Sequence, residues 1–213
     1  MSNTAVQGSI WIVSAPSGGG KTSLTRALLE RLRQRGIAAA ISVSYTTRAA
    51  RAGEQDGVHY HFVDQARFQA MAAADEFLEH AEVFGRHYGT GLAETERLLA
   101  AGTELLLDID WQGARQIRAR RPDAHGIFIL PPSAAELERR LHGRGQDDPA
   151  VIAARMQAAH AEMTHYAEYD YLIVNDSFEH ALDDLQAAVL GRRLRLPGQQ
   201  ARHAALIREL GLP

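Results

Sequence analysis

The chain has no cysteine among its 213 residues, so disulfides, thiol catalysis and thiolate-bound metals are excluded. It has no apolar run approaching the ~20 residues of a membrane-spanning helix, and residues 1–8 are too few and too polar for a secretory signal. A cytoplasmic protein without a membrane partner is therefore expected. An excess of positive charge is missing too: 23 Lys and Arg stand against 26 Asp and Glu, a formal net charge of −3. The electrostatics give no reason to expect a nucleic-acid partner. Internal repeats and low-complexity tracts are absent as well. What remains is ordinary for a folded domain, 46% hydrophobic and 23% charged. The length suits one large domain or a core with small inserted lobes.

The most informative stretch is an apolar strand, Ile10-Trp11-Ile12-Val13-Ser14, that runs straight into Ala15-Pro16-Ser17-Gly18-Gly19-Gly20-Lys21-Thr22 and then into a helical pattern. Strand, glycine-rich loop and helix in that order make a phosphate-binding loop. Glycines let successive backbone N–H groups curl around an anion, and the helix adds its positive dipole end. Lys21 supplies a mobile cation for the β- and γ-phosphates, and the Thr22 hydroxyl is a direct ligand for Mg²⁺. The general pattern opens with glycine where this chain has Ala15; alanine fits there if φ is negative. An ordinary glycine-rich turn with a surface lysine is the bland alternative, and the register of strand, loop and helix speaks against it. Residues 15–22 are thus expected to bind the phosphates of a nucleoside triphosphate, ATP in the reading below.

Four apolar runs, at residues 10–14, 105–110, 126–130 and 171–175, read as strands, with helical patterns starting near Gly20, Gln112, Ser133 and Phe178. Unbroken apolar strands alternating with amphipathic helices indicate an α/β fold, a P-loop NTPase-like parallel sheet flanked by helices. From Ser42 to about Gly91 the rhythm breaks into a Thr-, Tyr-, His- and Gly-rich stretch, with β-like residues 58–63 and one short helix over 65–74. It reads as an inserted, small mixed-β lobe. A flexible, charged segment from Leu141 to Pro149 reads as a lid. Ser133 with Glu136 forms a capping box, and Pro149 suits a helix start. A terminal helix over about 199–210 looks like an appendage. The expected division is a domain over 8–188 (core 8–41 and 92–188, inserted lobe 42–91, lid about 141–155) and a helical tail over 189–213. Asp108 and Asp110 close the second strand on one side, since strand side chains alternate. Carboxylates there suit Mg²⁺ water coordination and acceptor binding, with helix capping or turn formation as the alternative use.

A phosphate loop alone does not separate kinases from hydrolases, GTPases or motors. Residues 42–54 discriminate better: Arg48 and Arg51, three apart behind small hydroxyl residues, can grip one phosphate from two sides. Val58-His59-Tyr60-His61-Phe62, Phe77-Leu78-Glu79-His80-Ala81 and Phe84-Gly85-Arg86-His87-Tyr88-Gly89-Thr90 follow in order. With residues 107–113, 128–133, 143–145 and 173–176, they resemble the guanylate kinase family, enzymes that phosphorylate GMP with ATP. The resemblance runs from about Gly8 to Ala188, and bacterial members also carry a tail like residues 192–210.

The resemblance implies that Arg48, Arg51, Tyr60 and Tyr88 hold the GMP phosphate, and that Ser44, Glu79, Thr90 and Asp110 read guanine, with Asp108 also on the acceptor side. Two guanidinium groups and two phenol donors suit a dianionic phosphate. A carboxylate such as Glu79 accepts from both N1–H and the 2-amino group, whereas adenine would present it with a lone pair, a discrimination of ~10³-fold or more. Many relatives have serine at the place of Thr90, so the hydroxyl is retained. The resemblance further implies lid arginines, Arg144 and Arg155, that join Lys21 and Arg48 in neutralising the transferring group. Arg140 is a weaker candidate. Asn175 and Asp176 lie near the adenine, and Mg²⁺ is held by Thr22 directly and by Asp108 through water. The implied reaction is transfer of the ATP γ-phosphate to GMP and dGMP, giving ADP and GDP, in purine nucleotide metabolism and GMP recycling.

Two competing readings are weighed against this one. A kinase for another phosphorylated acceptor, such as a ribose bisphosphate, is opposed by Glu79, Asp110 and Ser44. A non-catalytic protein-binding module of the same fold is opposed by Gly20-Lys21-Thr22 together with Arg48 and Arg51. His59, His61, His80 and His87 lack fixed metal-ligand spacing and read as exposed histidines rather than a zinc site. Arg115, Arg118, Arg120 and Arg121 read as a solvated helix end. Arg192, Arg193 and Arg195 fit a subunit interface or a free tail equally, so a homo-oligomer stays open.

Overall fold

Strands that are apolar on both faces must be covered on both faces, and the chain meets that demand with helices on each side of one sheet. The computed structural model describes residues 7–83, 85–143 and 149–212. In chain order its elements are β1 (Ile10–Ser14), α1 (Lys21–Gln34), β2 (Ala39–Ile41), β3 (Tyr45–Thr46), β4 (His61–Phe62), α2 (Gln65–Ala73), β5 (Phe77–Val83), β6 (Arg86–Gly91) and α3 (Leu92–Ala100). There follow β7 (Glu104–Asp108), α4 (Trp111–Arg120), β8 (His125–Leu130), α5 (Ala134–His142), α6 (Pro149–Met163), β9 (Tyr171–Val174), α7 (Phe178–Arg193), α8 (Leu196–Arg202) and α9 (Ala204–Glu209).

The main sheet has the order β2-β7-β1-β8-β9 and is parallel throughout. Alternation along β1 sends Trp11 and Val13 to one face, where Leu24, Leu28 and Leu32 of α1 meet Leu182, Leu185 and Val189 of α7. Ile10 and Ile12 point to the other, against Leu99 of α3 and Ala114 and Ile117 of α4. The sheet has a fifth strand, β2, that the apolar runs do not reveal, because three residues are too few to show a period. The strand expected over 105–110 ends at Asp108. Asp110 instead caps α4, its Oδ1 accepting from Gly113 N at 3.0 Å. The capping use prevails because α4 follows at once and its first-turn amides need an acceptor.

The inserted stretch forms a second sheet, β4-β3-β6-β5, with β3 parallel to β4 and antiparallel to β6. Phe68 of α2 stacks on Phe77 of β5 with ring centroids 4.6 Å apart, and Met71 completes this small core. Only His61 and Phe62 of the β-like residues 58–63 pair as a strand, whereas β5 and β6 carry most of the sheet. Ser133 caps α5 by accepting from Glu136 N at 3.1 Å, but the Glu136 carboxylate turns to Arg139 and Arg140 rather than closing the box. The expected terminal helix is two, α8 and α9, interrupted at His203. Arg192 and Arg193 face inward, on His125 and on the buried Glu104 that also accepts from the Trp11 indole. The lid segment lies outside the described residues at 144–148, and Arg144 with it.

Candidate active site

The phosphate loop is shaped by glycine where glycine is needed. Gly18 and Gly20 have φ of 88° and 91°, in the left-handed region that side chains avoid. A Cβ on Gly20 would also stand 2.4 Å from Asn175 Nδ2. That amide donates to Gly19 O at 2.9 Å, so the buried Asn175 at the end of β9 props the loop from beneath. α1 begins without a side-chain cap and without an acid in its first turn, although orphan amides there normally draw one. A helix start left bare in this way suits an external anion. One loop amide does hold an internal carboxylate: Ser17 N donates to Glu162 Oε2 of α6 at 3.1 Å. Burial pushes the Glu162 carboxyl above its ordinary range, with Lys21 opposing.

Lys21 is the only lysine in the sequence. Its Nζ lies 2.7 Å from Asp108 Oδ1 and donates to Ile109 O at 3.1 Å. Ser14 Oγ donates to the same carbonyl at 2.8 Å, so the β7–α4 turn is pinned to the phosphate loop. Thr22 Oγ1 donates to Asp108 Oδ2 at 3.0 Å. A phosphate-bound Mg²⁺ takes few protein ligands and keeps several waters. One hydroxyl and one carboxylate oxygen at this separation, at the end of the loop, fit that donor set.

The residues expected to bind the acceptor sit on the second sheet and in and around the loop that joins β3 to β4. Arg48 makes a bidentate pair with Glu54, both contacts at 2.9 Å, and lies over the Tyr60 ring at 5.1 Å from its centroid. The pairing raises the Arg48 pKa and pulls the Glu54 carboxyl down to about 2. Glu54 Oε2 also accepts from Arg51 N at 2.7 Å, so a single carboxylate organises the arginine loop. The Tyr60 and Tyr88 rings meet edge to face at 6.1 Å. Burial, then the charge of Asp108, raises the Tyr60 pKa, so its hydroxyl stays a donor. A cavity of about 710 Å³ is lined by Thr22 and Asp108 together with Ser44, Arg48, Arg51, Tyr60 and Tyr88.

Glu79 and Thr90 are not on that wall. Glu79 is only 5% exposed, and its Oε1 accepts from Thr90 Oγ1 at 2.7 Å across the β5–β6 pair. Burial raises the Glu79 pKa to about 7, against the Thr90 hydrogen bond and with a smaller push from Asp110. A buried carboxylate whose neutral donors all come from Thr90 is under-satisfied, and further donors would hold it ionised.

Residues 7–191 match the protein family described as guanylate kinase. The chain belongs to the guanylate kinase family. It is accordingly an enzyme, a nucleotide-binding phosphotransferase. Guanylate kinases of Salmonella choleraesuis and Escherichia coli are each 57% identical to it over 204 residues, which cover 96% of this chain and 98% of theirs. The crystal structure of guanylate kinase from Anaplasma phagocytophilum superposes with a TM-score of 0.74 at 35% identity, covering 92% of this chain and 91% of that one.

Against that family background, the structure gathers Thr22, Asp108, Ser44, Arg48, Arg51, Tyr60 and Tyr88 around one space and pairs Lys21 with Asp108. It keeps Glu79, Thr90 and Asp110 together nearby, and puts Asn175 under the loop. Asp176 spends its Oδ1 on Ser177 N at 2.6 Å. Arg140 reaches Asn175 O at 3.0 Å, and Arg155 is half-buried on α6. Sequence reasoning did not find Glu54 or Glu162. An acid three residues past the second of two nearby arginines is a readable signal for Glu54. Glu162 lies 145 residues from Ser17, and no local pattern announces it.

Proposed function

We propose that this chain transfers the γ-phosphoryl group of ATP to GMP and dGMP, giving ADP and GDP or dGDP. One observation carries the reading: a single cavity of about 710 Å³ is lined by Thr22, which ends the phosphate loop, and Asp108 as well as by Arg48, Arg51, Tyr60 and Tyr88. Transfer between two nucleotides needs both phosphates in one space with the reacting atoms in line.

In this reading residues 8–188 are the catalytic domain, with a core at 8–41 and 92–188, an acceptor lobe at 42–91 and a lid near 141–155; residues 189–213 are a helical tail. Residues 15–20, whose backbone N–H groups other than at Pro16 are donors, and Lys21 hold the β- and γ-phosphates, with Asn175 and Asp176 on the adenine side. Arg48, Arg51, Tyr60 and Tyr88 hold the GMP phosphate, Asp108 lies on the acceptor side, and Glu79, Ser44, Thr90 and Asp110 read guanine. Bound Mg²⁺, held by Thr22 and through water by Asp108, would neutralise charge on the ATP phosphates. A GMP phosphate oxygen attacks the γ-phosphorus, and the bond to the β,γ-bridging oxygen breaks with its electron pair leaving on ADP. Lys21, Arg48, Arg155 and Arg144 offset charge spreading over the transferring group. Closure of lobe and lid excludes water, which would otherwise hydrolyse ATP. Cytoplasmic purine nucleotide metabolism and GMP recycling are the setting this reaction implies, with the purified chain acting alone or as a homo-oligomer.

The test is ADP production by the purified chain with Mg²⁺–ATP and GMP, dGMP or AMP. The expected outcome is comparable kcat/KM for GMP and dGMP, with AMP lower by ~10³-fold. Equal use of AMP, or ADP release at the same rate without an acceptor, would contradict the reading.

A further inference from the structure

The motif at residues 107–113 ends in a glycine to which no role has yet been attached. Gly113 is the third residue of α4 and has ordinary helical backbone, so no positive φ demands glycine. Apart from proline, glycine is the poorest helix former, so its presence here needs another reason. The reason lies across from it. A Cβ at Gly113 would stand 2.7 Å from Glu79 Oε2, 3.2 Å from Glu79 Cδ and 3.3 Å from Ile109 Cδ1. The carboxylate rests where an alanine methyl would be.

α4 also fixes the strand that bears Glu79. Gln116, one turn on, donates to His80 O at 2.8 Å and accepts from His80 N at 3.2 Å. Arg120 donates to Phe77 O at 2.8 Å. The backbone on either side of Glu79 is thereby tied to α4, while the side chain between the ties is set by the room that Gly113 leaves. We infer that Gly113 is a specificity-determining position: its missing side chain holds open the place from which the Glu79 carboxylate reads the base. The inference rests on the assignment of Glu79 as the guanine reader.

Gly113→Ala tests it. The Glu79 carboxylate, as the far end of a flexible side chain, gives way more readily than the helix. The variant should therefore fold, with a melting temperature at or above wild type. Its KM for GMP should rise about tenfold or more while KM for ATP stays the same, and its GMP-over-AMP preference should fall by about tenfold, since displaced hydrogen bonds to a charged group carry that discrimination. Glu79→Asp, one methylene shorter, should be harmful in the wild type yet less harmful beside Gly113→Ala, a non-additivity that general loss of stability would not produce. Should Gly113→Ala fail to fold, the double variant must fold if the carboxylate clash is the cause. Unchanged GMP KM and preference in Gly113→Ala, strict additivity, or a double variant as unfolded as the single would each overturn the inference. A Glu79→Gln control separates the two claims. If it abolishes the preference while Gly113→Ala does not, only the Gly113 inference falls. If it leaves the preference intact, the assignment of Glu79 falls and takes this inference with it.

Discussion

The phosphate loop and the acceptor lobe both present themselves to anions, and they are built in opposite ways. The loop works through backbone: glycines at φ near 90°, an uncapped helix start, and a buried asparagine beneath. Its shape is set by backbone conformation and by the Asn175 contact within the chain. The acceptor lobe works through side chains on two- to seven-residue strands and the loop between them, with Arg48 paired to Glu54 and Glu79 held only in part by the Thr90 hydroxyl. A backbone cradle takes any nucleotide phosphate. Side-chain pairs that must be shared with a ligand can distinguish one base from another, because a wrong base leaves a buried charge unpaired.

The comparison predicts different kinetic signatures for damage on the two sides. The largest effect is expected from Lys21→Ala, which removes the cation needed as charge shifts toward the leaving oxygen. kcat should fall by ~10³-fold or more with the fold retained, as read by circular dichroism and a single-turnover assay. Near-wild-type turnover would remove the loop from the chemistry. Next, Arg48→Ala and Arg51→Ala should each raise KM for GMP by ~10- to 100-fold, as loss of a charge-assisted contact implies, and leave KM for ATP within a factor of about two. Equal weakening of both nucleotides would dissolve the distinction between the sides.

A pH effect of intermediate size, due to Glu79, should appear on the acceptor side. Burial raises Glu79 to about 7 from the ordinary 4.5, so the folded protein holds this proton more tightly than the unfolded chain does. Its contribution to stability is therefore complete below pH 4.5 and is lost as pH rises through about 7. Base reading has the opposite sign, because it needs the carboxylate. Relative to Glu79→Gln, kcat/KM for GMP should fall by ~tenfold per pH unit below about 7, with the ATP profile unaffected. The smallest effect concerns Glu162, whose carboxylate sits on the Ser17 amide. Glu162→Gln removes an internal anion that the triphosphate must displace, so ATP affinity measured by calorimetry should rise about three- to tenfold while GMP affinity stays put. Unchanged or weaker ATP binding would mean that the contact does not compete with nucleotide.

The same contrast explains what the sequence discloses. A backbone cradle is contiguous, so residues 10–22 spell out strand, loop and helix in one line. The strands β1, β7, β8 and β9 are legible because they are apolar throughout; burial on both faces explains this for the first three, whereas β9, at the sheet edge, leaves Tyr171, Leu172 and Val174 exposed. β2 and β3 are not, since two or three residues show no period and their pairing is set by distant neighbours. Asp110 looked like a strand-end carboxylate because alternation is indifferent to where pairing stops; the hydrogen-bond demand of α4 decides it. The acceptor residues are scattered from Ser44 to Asp110, and only their order along the family pattern singles them out. Contacts that depend on three-dimensional approach, such as Glu162 on Ser17 and Gly113 against Glu79, leave no trace in spacing.

The central claim is that a buried carboxylate on the second sheet selects the base for a reaction whose chemistry belongs to the first. The most direct measurement is kcat/KM for GMP, IMP and AMP with saturating Mg²⁺–ATP, in the wild type and in Glu79→Gln. IMP keeps N1–H but lacks the 2-amino group, so the wild type should rank GMP above IMP above AMP. Glu79→Gln should lower the GMP-to-AMP ratio by ~10²-fold, as expected when two hydrogen bonds to a buried charge are lost. A ratio unchanged by Glu79→Gln, or IMP used as well as GMP by the wild type, would contradict the account.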